Sequence, residues 1–245
     1  MGKGVRIVSL WLQDLRGFKS IWGLPPLLYV LMLGYAIWSS DPEQPGNALF
    51  YGELAFYPLV VMLCAALFHR ELGGPMEIYA TLPQSLTGMA ARKGLILLAV
   101  CTGYQAAWFT AYQAKFGAVT TLVYSYGPAG QSSMCTLHSF MPLLLQMLPA
   151  LLFIAVLTLT VMLAVKKLYA GLFAGLALWM LDILSHGSWL PYFTIYTVHI
   201  QEQSKEIPNL FLPNRLVLLS ATLILTVILN YTVQDRSRWI VSEEE

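Results

Sequence analysis

The chain has 245 residues, of which 57% are hydrophobic and only 11% charged, and its formal net charge is +1. With a mean hydropathy of +0.63 it cannot be an ordinary water-soluble domain, where about a quarter of residues are charged, and the near-zero balance offers no electrostatic basis for binding nucleic acid. Three scattered cysteines, Cys64, Cys101 and Cys135, make neither a disulfide framework nor a zinc site. An all-α, multi-pass membrane protein is expected.

Residues 1–20, MGKGVRIVSLWLQDLRGFKS, place Val8, Trp11, Leu12, Leu15 and Phe18 at helical spacing, with Arg6, Ser9, Gln13 and Arg16 mostly on the other side. The pattern predicts an amphipathic elbow helix lying in the inner headgroup layer. The alternative is a basic flank that only sets topology. The first apolar run lacks a convincing small-residue cleavage site, so it is read as an uncleaved span.

A helix crossing the hydrocarbon needs about 20 apolar residues, since its backbone groups must all be satisfied within the helix. Stretches 21–39, 48–68, 94–113, 140–165, 168–185 and 214–233 meet that requirement, giving a six-span domain over 21–233 and a tail over 234–245. With the N-terminus inside, Lys3, Arg6, Arg16, Lys19, Arg70, Arg92, Lys93, Lys166, Lys167, Arg236 and Arg238 fall on the inner side. Only Lys115, Lys205 and Arg215 fall outside. Eleven basic residues against three predict cytoplasmic termini. The expected location is the cell membrane, a bacterial plasma membrane.

The longest connections, 114–138 and 186–213, then face outward. Their aromatic residues and turn formers suggest segments at or dipping into the interface. Trp189, Tyr192 and Phe193 are expected to anchor 186–213 at headgroup level as a cap over a pathway. Pro58, Pro142 and Pro149 are expected to kink their spans, and Gly171 and Gly175 to permit close helix packing within one chain. His138, His186 and His199 share no spacing that points to a metal.

Two carboxylates, Glu53 and Asp182, fall within spans two and five, where an ionised group is costly unless hydrated or paired. Each is a candidate for proton coupling or substrate contact. Glu53 is also close enough to the outer interface to meet water, and Asp182 lies near the end of its span, so a passive role stays open for both.

Between the second and third spans lies FHRELGGPMEIYATLPQSLTGMAARK, residues 68–93. Gly73, Gly74 and Pro75 break the preceding helix, and Pro75 suits the first turn of a new one, where its missing N–H costs nothing. Met76, Tyr79 and Ala80 would share a face, Glu71 and Glu77 supply acid, and Pro83 ends the helix. A short exposed helix of this kind either docks a partner or merely connects two spans.

The order Glu71, Gly73-Gly74, Glu77, Thr81-Leu82-Pro83 and Lys93, between spans two and three of six, resembles the cytoplasmic loop of permease subunits of type-2 ATP-binding-cassette exporters. The elbow helix, the six spans and the long outer connection between spans five and six match that plan as well. The resemblance implies that residues 71–83 form a coupling helix on an ATPase subunit, with Glu71, Gly74, Pro75, Glu77, Tyr79, Leu82 and Pro83 at the contact. It also implies a second permease copy, of this chain or a related one, beside it in the lipid, with ATP and magnesium held by the ATPase. No cofactor is expected on this chain. Its nearest approach to a phosphate loop, Lys19-Ser20, has Phe18 where glycine is required. The pathway would suit an amphipathic or hydrophobic cargo such as a peptide, a lipid-like molecule or a drug. The runner-up is a stand-alone secondary transporter or channel driven through Glu53 or Asp182. A membrane-embedded enzyme comes third, because no nucleophilic grouping can be assembled.

Overall fold

Among the described residues, six helices are long and apolar enough to cross a membrane. They belong to a computed structural model that describes residues 11, 14–41, 45–72, 85–117, 119–124, 132–137, 140–203, 207 and 210–235. In chain order the helices are α1 (Leu24–Ser39), α2 (Pro45–Leu72), α3 (Leu86–Phe116), α4 (Phe140–Val165), α5 (Leu168–Ser185), a short α6 (Thr197–Gln203) and α7 (Phe211–Gln234). All but α6 are spans, and a 3-10 turn at Ile21–Gly23 leads into α1. The chain is an α-helical, multi-pass membrane protein.

The span boundaries hold closely for α1, α4 and α5, whereas α2 and α3 run longer than the apolar stretches alone indicate. Helix α3 begins at Leu86, eight residues before the expected span, because Ser85 caps it: the Gly88 N–H donates to Ser85 Oγ at 3.0 Å. The outer connection between α3 and α4 holds an antiparallel hairpin, β1 (Val119–Tyr124) with β2 (Ser132–Leu137), in which Val119 faces Leu137 and Tyr124 faces Ser132. Outside this hairpin every regular element described is helical, in keeping with the all-α membrane expectation. The run VTTLVY is rich in β-branched residues, and a pleated strand accommodates those better than an interfacial helix would.

Helices α2 and α4 form the centre: 72% and 61% of their apolar windows are buried, against 28% or less for every other span. Neither has a polar face to present to water, so both can be surrounded by other helices. Phe56, Val60, Cys64 and Phe68 of α2 meet Leu151, Ile154 and Met162 of α4 in one core that also takes in Cys101. Leu27, Leu31 and Trp38 of α1, Phe173 of α5 and Leu223 and Val227 of α7 remain exposed. In a bilayer such surface carries no penalty, because lipid tails are as apolar as leucine.

Pro58 and Pro149 lie inside helices. Pro142 falls in the first turn of α4, where no helical hydrogen bond is lost, so it does not act as a kink. Gly171 and Gly175 seat α5 on the core. A Cβ at Gly171 would stand 2.5 Å from the Thr158 carbonyl oxygen, and one at Gly175 would stand 2.5 Å from Thr158 Oγ1 and 2.6 Å from Val61. Close packing within one chain is therefore their use. Gly171→Val is expected to cost about 1–3 kcal/mol, since the backbone it strikes cannot yield, and to lower the thermal unfolding midpoint with oligomeric state unchanged. Unaltered stability with a loss of self-association would assign these glycines to a dimer seam instead.

Candidate functional site

Polar side chains are expensive within a bilayer, so their positions locate the parts of the bundle that do more than fill space. Among the described residues the buried charged ones gather at the two ends of the core.

At one end, the early start of α3 places Lys93 two turns inside the helix and not at its edge. Lys93 is 2% exposed; its Nζ lies 2.6 Å from Glu71 Oε2, donates to the Leu67 carbonyl and stands 5.0 Å from the centre of the Phe68 ring. Its neighbour Arg92 donates through Nε to Asp14 Oδ2 at 3.0 Å. The last turn of α2, the first turns of α3 and the segment before α1 are thus joined by two ion pairs. Glu71 belongs to α2, and not to the expected docking helix, is 4% exposed and is paired with Lys93. A buried ammonium needs a counter-charge, and Glu71 lies nearest. Counting basic residues as loop flanks concealed the pair, because its members are separated by the whole connection. Gly74, Pro75, Glu77, Tyr79, Leu82 and Pro83 lie outside the described residues, as does most of the expected elbow helix.

At the opposite end, the chain leaves α5 through two left-handed residues, His186 and Gly187. A 3-10 turn at Pro191–Phe193 then turns the chain back toward the core. Thr194, Ile195 and Tyr196 are buried, and α6 follows with Ile200 buried too. Such a re-entry brings backbone N–H and C=O groups into apolar surroundings, where each needs a partner. The two membrane carboxylates and several neighbours provide them.

Asp182 accepts from the Thr194 hydroxyl at 2.7 Å and from the Ile195 N–H at 2.7 Å, and lies 3.3 Å from His199 Nδ1. Glu53 accepts the Thr197 N–H at 2.8 Å and the Thr197 hydroxyl at 2.7 Å. The Tyr57 hydroxyl donates to the Ile195 carbonyl at 2.9 Å, and Asn214 Nδ2 donates to the Thr194 carbonyl at 3.0 Å. Helices α2, α5 and α7 therefore all grip the run Thr194-Ile195-Tyr196-Thr197. Burial raises the Tyr196 phenol above its ordinary pKa, which keeps this ring neutral against Tyr57 and His199.

Near the outer interface, Glu53 lines a partly open pocket beside Thr197. It is 6% exposed, and its two oxygens accept from the Thr197 N–H and hydroxyl. The expected aromatic anchors divide: Trp189 is exposed, Tyr192 less so, and Phe193 turns inward to within 6.1 Å of the Phe153 ring. His186 and His199 stand 5.4 Å apart. Sequence spacing missed their meeting because the left-handed turn after α5 creates it. The described residues contain no group of three His, Cys, Asp or Glu side chains suited to a metal ion.

No protein-family model, curated protein or solved structure matches this chain.

Proposed function

We propose that the chain is the membrane subunit of an ATP-driven exporter of the ATP-binding-cassette class, paired with a second permease copy and powered by separate ATPase subunits that hold ATP and magnesium. The observation that carries this proposal is the double tie at the Lys93 end. Residues 73–84 are bracketed by Leu72 and Ser85, and within two turns of those points Glu71–Lys93 and Asp14–Arg92 join α2, α3 and the N-terminal segment. A force applied to that connection enters the central helix α2 directly. The same helix holds the re-entrant run through Glu53 and Tyr57 at its other end, so a rigid displacement of α2 would act on both ends of the core. Ion coupling through Glu53 or Asp182 has less support, because both carboxylates already accept backbone N–H bonds that fasten the re-entrant run.

With Glu71 engaged inside the chain, docking would rest on residues 74–83. Glu77→Lys combined with Tyr79→Ala is expected to reduce co-purifying ATPase at least tenfold and to abolish transport, as loss of a buried aromatic anchor costs about 2 kcal/mol or more. The isolated wild-type chain should bind no ATP. Full ATPase capture and transport by the double variant would make the segment a plain connector, and nucleotide affinity of the contaminant-free chain would remove the need for a partner ATPase.

A further inference from the structure

At the Lys93 end of the bundle, a cavity of about 260 Å³ opens between α2, α3, α4 and α7. Its shape follows from its lining. Thr87 and Gly94 of α3, Val156 and Leu163 of α4, and Thr226 and Val233 of α7 all bound it, each pair seven residues apart. At about 1.5 Å per residue the cavity runs roughly 10 Å along the helices, about two-thirds of the roughly 15 Å hydrocarbon depth of one leaflet. It is a slot parallel to the spans.

The slot has a closed floor and an open rim. Phe68, Leu163 and Val233 are buried, whereas Ala91, Thr226 and Asn230 are exposed. Ala91 lies one helical turn from Leu95, and Thr226 adjoins Val227 and lies one turn from Leu223. These three neighbours belong to the exposed apolar surface, so the mouth opens sideways into hydrocarbon. Gly94 helps to keep the space free, since a Cβ there would meet nothing within 4 Å.

Little but hydrocarbon can fill it. Apolar cavities of about 150 Å³ stay dry and take up benzene, because a buried water needs about two to four polar partners. On this wall Thr226 Oγ1 already donates to the Thr222 carbonyl at 2.7 Å, and Asn230 Oδ1 accepts from Gln234 Nε2 at 3.3 Å. The two cations of α3 beside the slot, Arg92 and Lys93, are paired with Asp14 and Glu71 and call for no further anion.

We infer that this slot holds one acyl chain of a membrane lipid, taken from the leaflet at the Lys93 end. Such a chain lies along the spans, needs no hydrogen bonds and enters from the surface onto which the mouth opens. A helix of a second copy, about 10 Å across, would have to part α3 from α7, which touch. Phe68 connects the slot to the rest of the bundle: it lines the cavity, and its ring stands 5.0 Å from Lys93 Nζ, the partner of Glu71. A role for the slot in taking the tail of a lipid-like cargo rests on the exporter function proposed above, whereas chain binding does not.

Phosphatidylcholine with a diazirine at mid-chain is a suitable probe, mixed as a minor component into nanodiscs that hold the full chain. After illumination, mass spectrometry maps the labelled residues. Label is expected on Phe68 or Leu163 in the wild type and should be lost from both in Gly94→Phe, whose ring occupies the slot, while labelling of Leu95 and Leu223 is retained. Gly94→Leu repeats the test with a smaller side chain should the phenyl ring disturb the fold. Wild-type label confined to exposed residues such as Leu95 and Leu223 would overturn the inference, as would floor labelling undiminished in both variants. A disulfide-linked dimer of Ala91→Cys, with no label on the floor, would make a second copy the occupant and overturn it as well. Co-purification of an ATPase with the same chains reports on the exporter function alone.

Discussion

Lys93→Met is expected to destabilise the chain by about 3–5 kcal/mol, because it leaves the Glu71 carboxylate buried without its counter-charge. The pair lies at 2.6 Å with both side chains almost wholly inside, so solvent screening does little to soften the loss. Removing both charges in Glu71→Leu/Lys93→Met should restore most of the stability, since a buried pair is often replaceable by apolar groups of similar volume. Thermal unfolding of the single and double variants in nanodiscs measures this. If the pair also transmits force from residues 73–84, the double variant should stay stable yet lose cargo-stimulated ATPase activity in the assembled complex. A single variant as stable as the wild type would show that water reaches Glu71 and that the ion pair has little weight. A stable double variant with normal coupling would leave the pair a purely structural role.

Asp182→Ala should release the re-entrant run. The substitution strips an acceptor from the Thr194 hydroxyl, the Ile195 N–H and His199 at once, in a region where Thr194, Ile195 and His199 are all buried. At about 1–3 kcal/mol for each unsatisfied donor, and with partial relaxation, a loss of about 3 kcal/mol is expected. Asp182→Asn should cost less, because its carbonyl oxygen keeps one acceptor while its amide presents N–H groups to donors. Hydrogen exchange at the Ile195 and Thr197 amides is the direct readout. In Asp182→Ala both should exchange faster while amides in the centre of α4 stay protected. Equal protection in the variant would mean that Glu53, Tyr57 and Asn214 hold the run without Asp182.

Much of this molecule was legible before any tertiary contact was known. The ends of α4 and α5 coincide with the apolar stretches read from the sequence, because a bilayer requires each span to satisfy its own backbone over about 20 residues. Glu53 and Asp182 stood out for the same reason, as charges in apolar runs. Their partners did not stand out. Thr194 and Thr197 are common residues in an outer connection, and only the fold of the chain after His186 carries them 12 and 144 positions back to the two carboxylates. The hairpin of β1 and β2 was hidden by its aromatic and turn-forming surroundings, which suggested an interfacial loop.

Composition and hydropathy by themselves determined the environment, the helical class and the number of spans, since each follows from local transfer energies summed along the chain. Which helices lie at the centre, that Glu71 is paired with Lys93 and so withdrawn from the surface, and that Asp182 and Glu53 both hold the run after α5 were decided only by tertiary structure. Each of these depends on the distance between residues remote in sequence. A buried charge or hydroxyl is stabilised by whatever the fold places within about 3 Å of it, and no local pattern encodes that neighbour.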